Sequence, residues 1–178
     1  MNLKLKRTPG LYLVGFMGCG KSSVGRLLAE EIGWRFADLD EDIERQQHCS
    51  ISDLFLRLGE GEFRRIESDA IQQRVQLVRR GAPTVLALGG GAFTRDENID
   101  LLYNNGITVW LDTAYEVMKR RIEGCTHRPL ARDPIRFEQL YHQRRPMYSR
   151  AEYHISIVED NSSAAVTQIL NMPFWQKS

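Results

Sequence analysis

Cysteine is scarce in this chain, and the three present, Cys19, Cys49 and Cys125, show neither paired spacing nor the spacing of a metal site. Free thiols in a reducing compartment are the simplest reading, so the cytoplasm is the expected location. Neither sign of charge is in excess. Lys and Arg total 24 against 23 Asp and Glu, so the overall balance draws the chain to neither nucleic acid nor a membrane surface. No apolar run is long enough to cross a bilayer. Basic residues ahead of Leu11-Tyr12-Leu13-Val14 superficially resemble a secretion signal, but the run is too short and meets a glycine-rich segment at once. The histidines, His48, His127, His142 and His154, are scattered without metal spacing and read as bystanders. Repeats, low-complexity tracts and an interdomain linker are all lacking. What remains is one domain over residues 1–178, sized for a single core and able to act as a monomer.

Short apolar runs alternate with helical patterns, which is the arrangement of a parallel α/β sheet. The runs are Leu11–Val14, Arg35–Asp38, Thr84–Leu88, Ile107–Leu111 and His154–Val158. Val24, Leu27, Leu28 and Ile32 recur at helical spacing, and Glu62–Val78 reads as a long helix with Phe63, Ile66, Ala70 and Ile71 inward. Further helices are expected over Asp96–Asn104, Ala114–Ile122, Phe137–Tyr148 and Ser162–Leu170. Five strands with crossover helices make one doubly wound domain. The segment Glu123–Pro134, with Gly124, two prolines, Arg128 and Arg132, has little periodicity and reads as a mobile loop. Met172–Ser178 reads as a loosely held tail, and Trp34, Trp110 and Trp175 as packing residues.

Gly15-Phe16-Met17-Gly18-Cys19-Gly20-Lys21-Ser22 matches the phosphate-binding pattern G-x-x-x-x-G-K-[ST], between an apolar strand and an amphipathic helix. Glycines let the backbone approach phosphate oxygens, so that successive N–H groups and the positive end of the next helix face the anion. Lys21 would reach the β- and γ-phosphates of a nucleoside triphosphate, and Ser22 would ligate magnesium. Gly18, Cys19, Gly20 and Ser23 complete the nucleotide-facing stretch. Cys19 occupies a variable position and reads as filler, not as a nucleophile.

A phosphate loop alone does not separate a kinase from a GTPase or a motor. Asp38-Leu39-Asp40 ends the second strand, at the sheet edge where open α/β folds bind ligands. Alternation along an extended chain would send Asp38 and Asp40 the same way, one toward the metal and the other toward an acceptor hydroxyl. The same residues equally suit an acidic helix start, Asp40-Glu41-Asp42, favoured by the helix dipole alone. Gly89-Gly90-Gly91 after the third strand has no packing value and makes sense where backbone nears a ligand. That strand carries no acidic residue at its tip, which leaves the metal-related duty to Asp38. Arg121, Arg128, Arg132, Arg144 and Arg145 crowd the region around the loop, an arrangement suited to phosphoryl or carboxylate oxygens. Each alone is as readily a surface residue, and Arg65, beside Arg64, reads as part of a solvated face.

Together these segments resemble the shikimate kinase family. The phosphate loop, Asp38-Leu39-Asp40, Gly59-Glu60-Gly61-Glu62-Phe63-Arg64, Gly89-Gly90-Gly91, Arg128-Pro129-Leu130 and Arg144-Arg145-Pro146-Met147-Tyr148 follow the family's order across about Leu11 to Leu170. The resemblance implies a three-layer α/β fold of the P-loop NTPase type, with a five-stranded parallel sheet like that of nucleoside monophosphate kinases and a lid at about 123–134. It implies transfer of phosphate from ATP, with Mg²⁺, to the 3-hydroxyl of shikimate in the aromatic amino acid pathway. Asp40 would bind that hydroxyl and is the candidate base. Arg64 and Arg144 would clamp the shikimate carboxylate, Gly89, Gly90 and Gly91 would line the pocket, and Phe63 would wall the ring. Glu67 would support the site from behind. Arg128 would reach the transferring phosphate from the lid, Arg121 would lie against the adenine, and Asp38 with Ser22 would serve magnesium. A gluconate-type or nucleoside monophosphate kinase on the same fold, and a binding module that has lost catalysis, are the competing readings.

Overall fold

The computed structural model describes residues 3–5, 9–122 and 133–177. Along the chain run β1 (Leu3–Leu5), β2 (Gly10–Val14), α1 (Lys21–Ile32), β3 (Arg35–Asp38), α2 (Leu39–Gln47), α3 (Ile51–Arg79) and β4 (Thr84–Ala87). After a 3-10 turn at Ala92–Thr94 come α4 (Asp96–Tyr103), β5 (Ile107–Thr113), α5 (Tyr115–Ile122), α6 (Pro134–Tyr148), β6 (Tyr153–Ile157), α7 (Ser162–Leu170) and β7 (Trp175–Lys177).

Five strands form one sheet in the order β3-β4-β2-β5-β6, and every pairing in it is parallel. Strand β2 lies at the centre, and Leu11, Tyr12, Leu13 and Val14 are wholly buried. A strand covered on both faces has no use for alternation, which is why that run is continuously apolar. Right-handed crossovers put α1 and α7 together on one face and the α3–α4 pair on the other, giving three layers. The strand order reverses beside β2, so the loops after β2, β3 and β4 meet at one end of the sheet. Ligands of such folds bind there.

Two stretches refine the expectation. Helix α2 decides for the acidic helix start at Asp40-Glu41-Asp42, one of two readings the residues allowed, and only Leu39, Asp42 and Ile43 of it are buried. Helix α3 starts well before Glu62 and bends at Gly59, whose φ of 78° and ψ of 172° break the helical path. Its start carries a capping box, with the Ser50 hydroxyl and the Asp53 carboxylate each serving the other's backbone N–H.

The tail is also more firmly held than its composition suggests. Strand β7 pairs antiparallel with β1. Phe174 and Trp175 are buried, and the Trp175 indole donates to the Ile169 carbonyl at 2.8 Å while its ring meets that of Trp34. A helix end and two aromatic rings hold what reads in sequence as a loosely held tail. Of the lid expected at about 123–134, residues 123–132 lie outside the described residues, and Cys125, His127, Arg128 and Arg132 with them. Described structure resumes at Asp133, whose side chain caps α6 at the Arg136 N–H.

Trp175→Ala removes a buried ring and one of the hydrogen bonds to the Ile169 carbonyl, so it should lower stability by about 3–5 kcal/mol, as read by urea unfolding. A loss under about 1 kcal/mol would mean that the tail packs only loosely.

Candidate active site

The loop between β2 and α1 turns through Gly15, Gly18 and Gly20, all at positive φ. Gly20 is the clearest case, for at φ 100° it forms the N-cap of α1 and brings no side chain to the first-turn N–H groups. Those donors, and the positive end of the helix, are left for an anion. Lys21 arches across the loop, with Nζ donating to the carbonyls of Gly15 at 2.8 Å and Phe16 at 2.9 Å. Ser23 is exposed on the first turn of α1. Cys19 is 1% exposed, its carbonyl accepts from the Thr113 hydroxyl at 2.9 Å, and its side chain fills the underside of the loop as expected. Phe16 fixes the loop from another side, its ring packing edge-on against Phe137 and Tyr141 of α6.

Asp38 and Asp40 do converge, though not by strand alternation. The strand ends at Asp38, which caps α2, and Asp40 lies in the first helical turn with its N–H donating to Asp38 Oδ1 at 3.1 Å. The helix-start reading thus holds for these residues. Asp38 Oδ2 accepts from the Ser22 hydroxyl at 2.5 Å. A hydroxyl and a carboxylate at the foot of a phosphate loop fit Mg²⁺, which takes one or two protein oxygens and completes its octahedron from phosphates and water. Among the described residues no group of three or more His, Cys, Asp or Glu could hold a metal ion.

The glycine loop after β4 gathers the acceptor-side charges. A Cβ on Gly89 would sit 2.7 Å from Asp40 Oδ1 and 2.8 Å from Glu67 Oε1. One on Gly91 would collide with the Arg64 guanidinium. At Gly90 it would meet Arg144 Nη1 at 3.5 Å, the Met17 backbone nitrogen at 3.7 Å and the Tyr148 hydroxyl at 3.8 Å. Asp40, Glu67, Arg64 and Arg144 therefore surround three consecutive backbone units beside the phosphate loop. Arg64 donates to Glu67 at 2.8 Å and to Glu60 at 3.2 Å. Phe63 lies beneath it, 2% exposed, with the guanidinium carbon 5.3 Å from its ring centre and the Phe55 ring at 4.3 Å.

The other arginines separate. Arg121 donates to the Gly18 carbonyl at 3.1 Å and to Asp160 at 2.5 Å, which sets it against the outer wall of the phosphate loop. Arg145 turns to Asp112 at 2.5 Å and to the Trp110 ring, away from the glycine loop. Arg65 is the surface residue expected, paired with Glu62 and Asp69. Residues that sequence reasoning left without a role are Asp160, Asp112 and Tyr148. Only Tyr148 had a legible signal, its i+4 spacing from Arg144 on one helix face.

Glu67 is the buried acid of the cluster. Burial pushes its carboxyl above the ordinary glutamate range, the Arg64 ion pair pulls it back, Asp40 adds to the rise and Arg144 opposes it. A carboxyl raised in the folded state lends stability below its unfolded pKa and loses it as pH rises through the folded one. Glu67→Gln removes that loss. Its melting temperature relative to the parent should therefore climb as pH rises from about 4, the unfolded glutamate value, upward. A flat difference across that range would mean that burial does not perturb Glu67.

With this geometry in place, the comparisons with known proteins are direct. The shikimate kinase family model matches residues 17–173. A shikimate kinase of Parasynechococcus marenigrum is 42% identical over 180 residues, spanning 96% of this chain and 90% of its own. One from Persephonella marina is 37% identical over 90% of this chain and 96% of its own. Among solved structures, shikimate kinase from Acinetobacter baumannii in complex with shikimate aligns with a TM-score of 0.83 at 35% identity, over 91% of this chain and 90% of that one. A gluconokinase from Sinorhizobium meliloti, at 19% identity and a TM-score of 0.56, shares the fold alone.

Proposed function

This chain belongs to the shikimate kinase family, and from that premise we propose that it transfers the γ-phosphoryl group of ATP to the 3-hydroxyl of shikimate. The products are ADP and shikimate 3-phosphate, on the route through chorismate to the aromatic amino acids. The observation that carries the reading is the meeting of Asp40, Glu67, Arg64 and Arg144 around Gly89–Gly91, next to a complete phosphate loop. No helix among the described residues is long and apolar enough to cross a membrane, and we place the enzyme in the cytoplasm as a monomer.

The chemistry is mostly placement. Lys21 and the N–H groups of Gly18, Cys19, Gly20, Ser22 and Ser23 hold the phosphates, and Arg121 flanks the nucleotide from outside the loop. Ser22 and Asp38 would hold magnesium, which when bound would offset the negative charge on the transferring group. Arg64 and Arg144 each offer a planar fork to the acceptor carboxylate, matched to two oxygens at once. Phe63 backs the Arg64 fork, and Gly89, Gly90 and Gly91 leave room for the ring. Asp40 accepts the hydrogen of the reacting hydroxyl and aims its oxygen at the γ-phosphorus. Arg128, by its resemblance to the family's lid arginine, supplies the remaining positive charge to the phosphoryl oxygens. Closure around both substrates would exclude water and spare ATP from hydrolysis.

A coupled ADP-release assay with ATP and Mg²⁺ tests the reading against shikimate, gluconate, AMP and no acceptor. Turnover is expected with shikimate alone, and nucleotide binding without turnover on any acceptor would favour the binding-module reading. Asp40→Asn should lower kcat about 10²- to 10⁴-fold while leaving ATP binding intact. Arg64→Ala should raise the shikimate KM about 10- to 100-fold through loss of a charged hydrogen bond. An Asp40→Asn enzyme of parental kcat would remove Asp40 from the reacting centre.

A further inference from the structure

Tyr148 borders the acceptor cluster, yet neither the phosphate chemistry nor the carboxylate clamp gives it a task. It is 2% exposed and lies in the last turn of α6, four residues beyond Arg144. Its hydroxyl donates to the Gly90 carbonyl at 2.5 Å, and the Arg144 guanidinium flanks the same glycine, close enough for its charge to act on the phenol. A phenol has one hydrogen to give and two lone pairs to accept with. With its hydrogen on Gly90, it can only accept from Arg144, whose guanidinium is all donors. Arg144 Nη1, the Met17 N–H of the phosphate loop and this hydroxyl all lie within 3.5–3.8 Å of where a Gly90 Cβ would stand. The hydroxyl thus sits on the seam between the two halves of the site.

We infer that Tyr148 is a positioning residue for the reaction, its hydroxyl locking the Arg144 guanidinium to the Gly90 carbonyl so that the acceptor carboxylate meets a fork already aimed. The inference rests on the shikimate reading. Burial raises the pKa of the phenol, with the nearby Arg144 opposing, so it stays protonated at working pH and takes no part as a base. An unaimed arginine would be ordered only when the acceptor arrives, and the entropy lost then would weaken acceptor binding. The nucleotide half of the site also contacts α6 through Phe16 with Phe137 and Tyr141.

The test is Tyr148→Phe, which keeps the ring and deletes one oxygen. Tyr141→Phe is the control: it removes a hydroxyl from the same helix that accepts from Arg145 at 3.3 Å. For Tyr148→Phe the shikimate KM should rise about tenfold with the ATP KM unchanged, and Tyr141→Phe should move neither. In an Arg144→Ala background, Tyr148→Phe should add less than about twofold, because the hydroxyl acts through that arginine. Three outcomes overturn the inference alone: an unchanged shikimate KM, a full additional effect without Arg144, or a variant that unfolds or loses both substrates in parallel and so assigns Tyr148 to packing. A parent enzyme that binds ATP but does not phosphorylate shikimate would overturn the functional reading first, and the inference with it.

Discussion

The site depends on how closely the backbone after β4 approaches the side chains around it. At Gly91 a single methyl group would occupy the space of the Arg64 guanidinium, and at Gly89 it would press on Asp40 and Glu67 together. Removing the side chain from consecutive residues lets two acids and two bases from three separate segments face one short stretch of chain. Strand β4 delivers that stretch because it pairs directly with β2, so the loop after β4 and the phosphate loop leave the sheet side by side. Parallel pairing does the rest, since all the loops that matter then open at one end of the sheet.

The two halves of the site are built differently. The phosphate half is fastened to the centre of the molecule: β2 is wholly buried, Cys19 and Phe16 pack beneath the loop, and Thr113 of β5 holds the Cys19 carbonyl. The acceptor half hangs on the α2–α3 pair, outside the sheet. That pair is tied by a two-pronged contact in which Arg74 donates to both oxygens of buried Asp42 at 2.5 Å. Such a fork fixes orientation as well as distance, and it sets the helix bearing Asp40 against the one bearing Arg64 and Glu67. Glu67 then works against the cost of its own burial, for the field of Arg64 and Arg144 keeps a nearly inaccessible carboxyl chargeable.

How much of this was legible in the sequence varies with the kind of signal. The sheet was, because buried parallel strands write continuous apolar runs between amphipathic helices. The phosphate loop was, because its glycines and lysine have few other uses together. The triple glycine betrayed a close approach without saying to what, and only the structure supplies Arg64, Asp40 and Glu67 as the answers. The polar face of helix α2 left Asp38-Leu39-Asp40 open both to strand alternation and to an acidic helix start. The local competition between strand and helix was settled by Asp38 acting as a cap. Arg145 shows the limit of composition: it sits beside Arg144, yet one residue of helical rotation sends it to Asp112 instead of the glycine loop. The tail was misjudged because a strand of three residues leaves too short a pattern to read, while the packing of Phe174 and Trp175 is wholly tertiary.

A site assembled this way favours one account of catalysis over another. If proton removal by Asp40 were the main contribution, an isolated carboxyl with a raised pKa would serve best. Instead Asp40 shares its surroundings with a second acid and two arginines, and no side chain in the cluster is left in open apolar space. Neighbours fix direction in this cluster: Glu67 for Arg64, Asp38 for the helix that carries Asp40. Phosphoryl transfer gains most from that kind of order, since its transition state forms little new covalent character and asks mainly for alignment and charge. The protein spends its close contacts on holding groups still, and the reactivity resides in the phosphoanhydride they are aimed at.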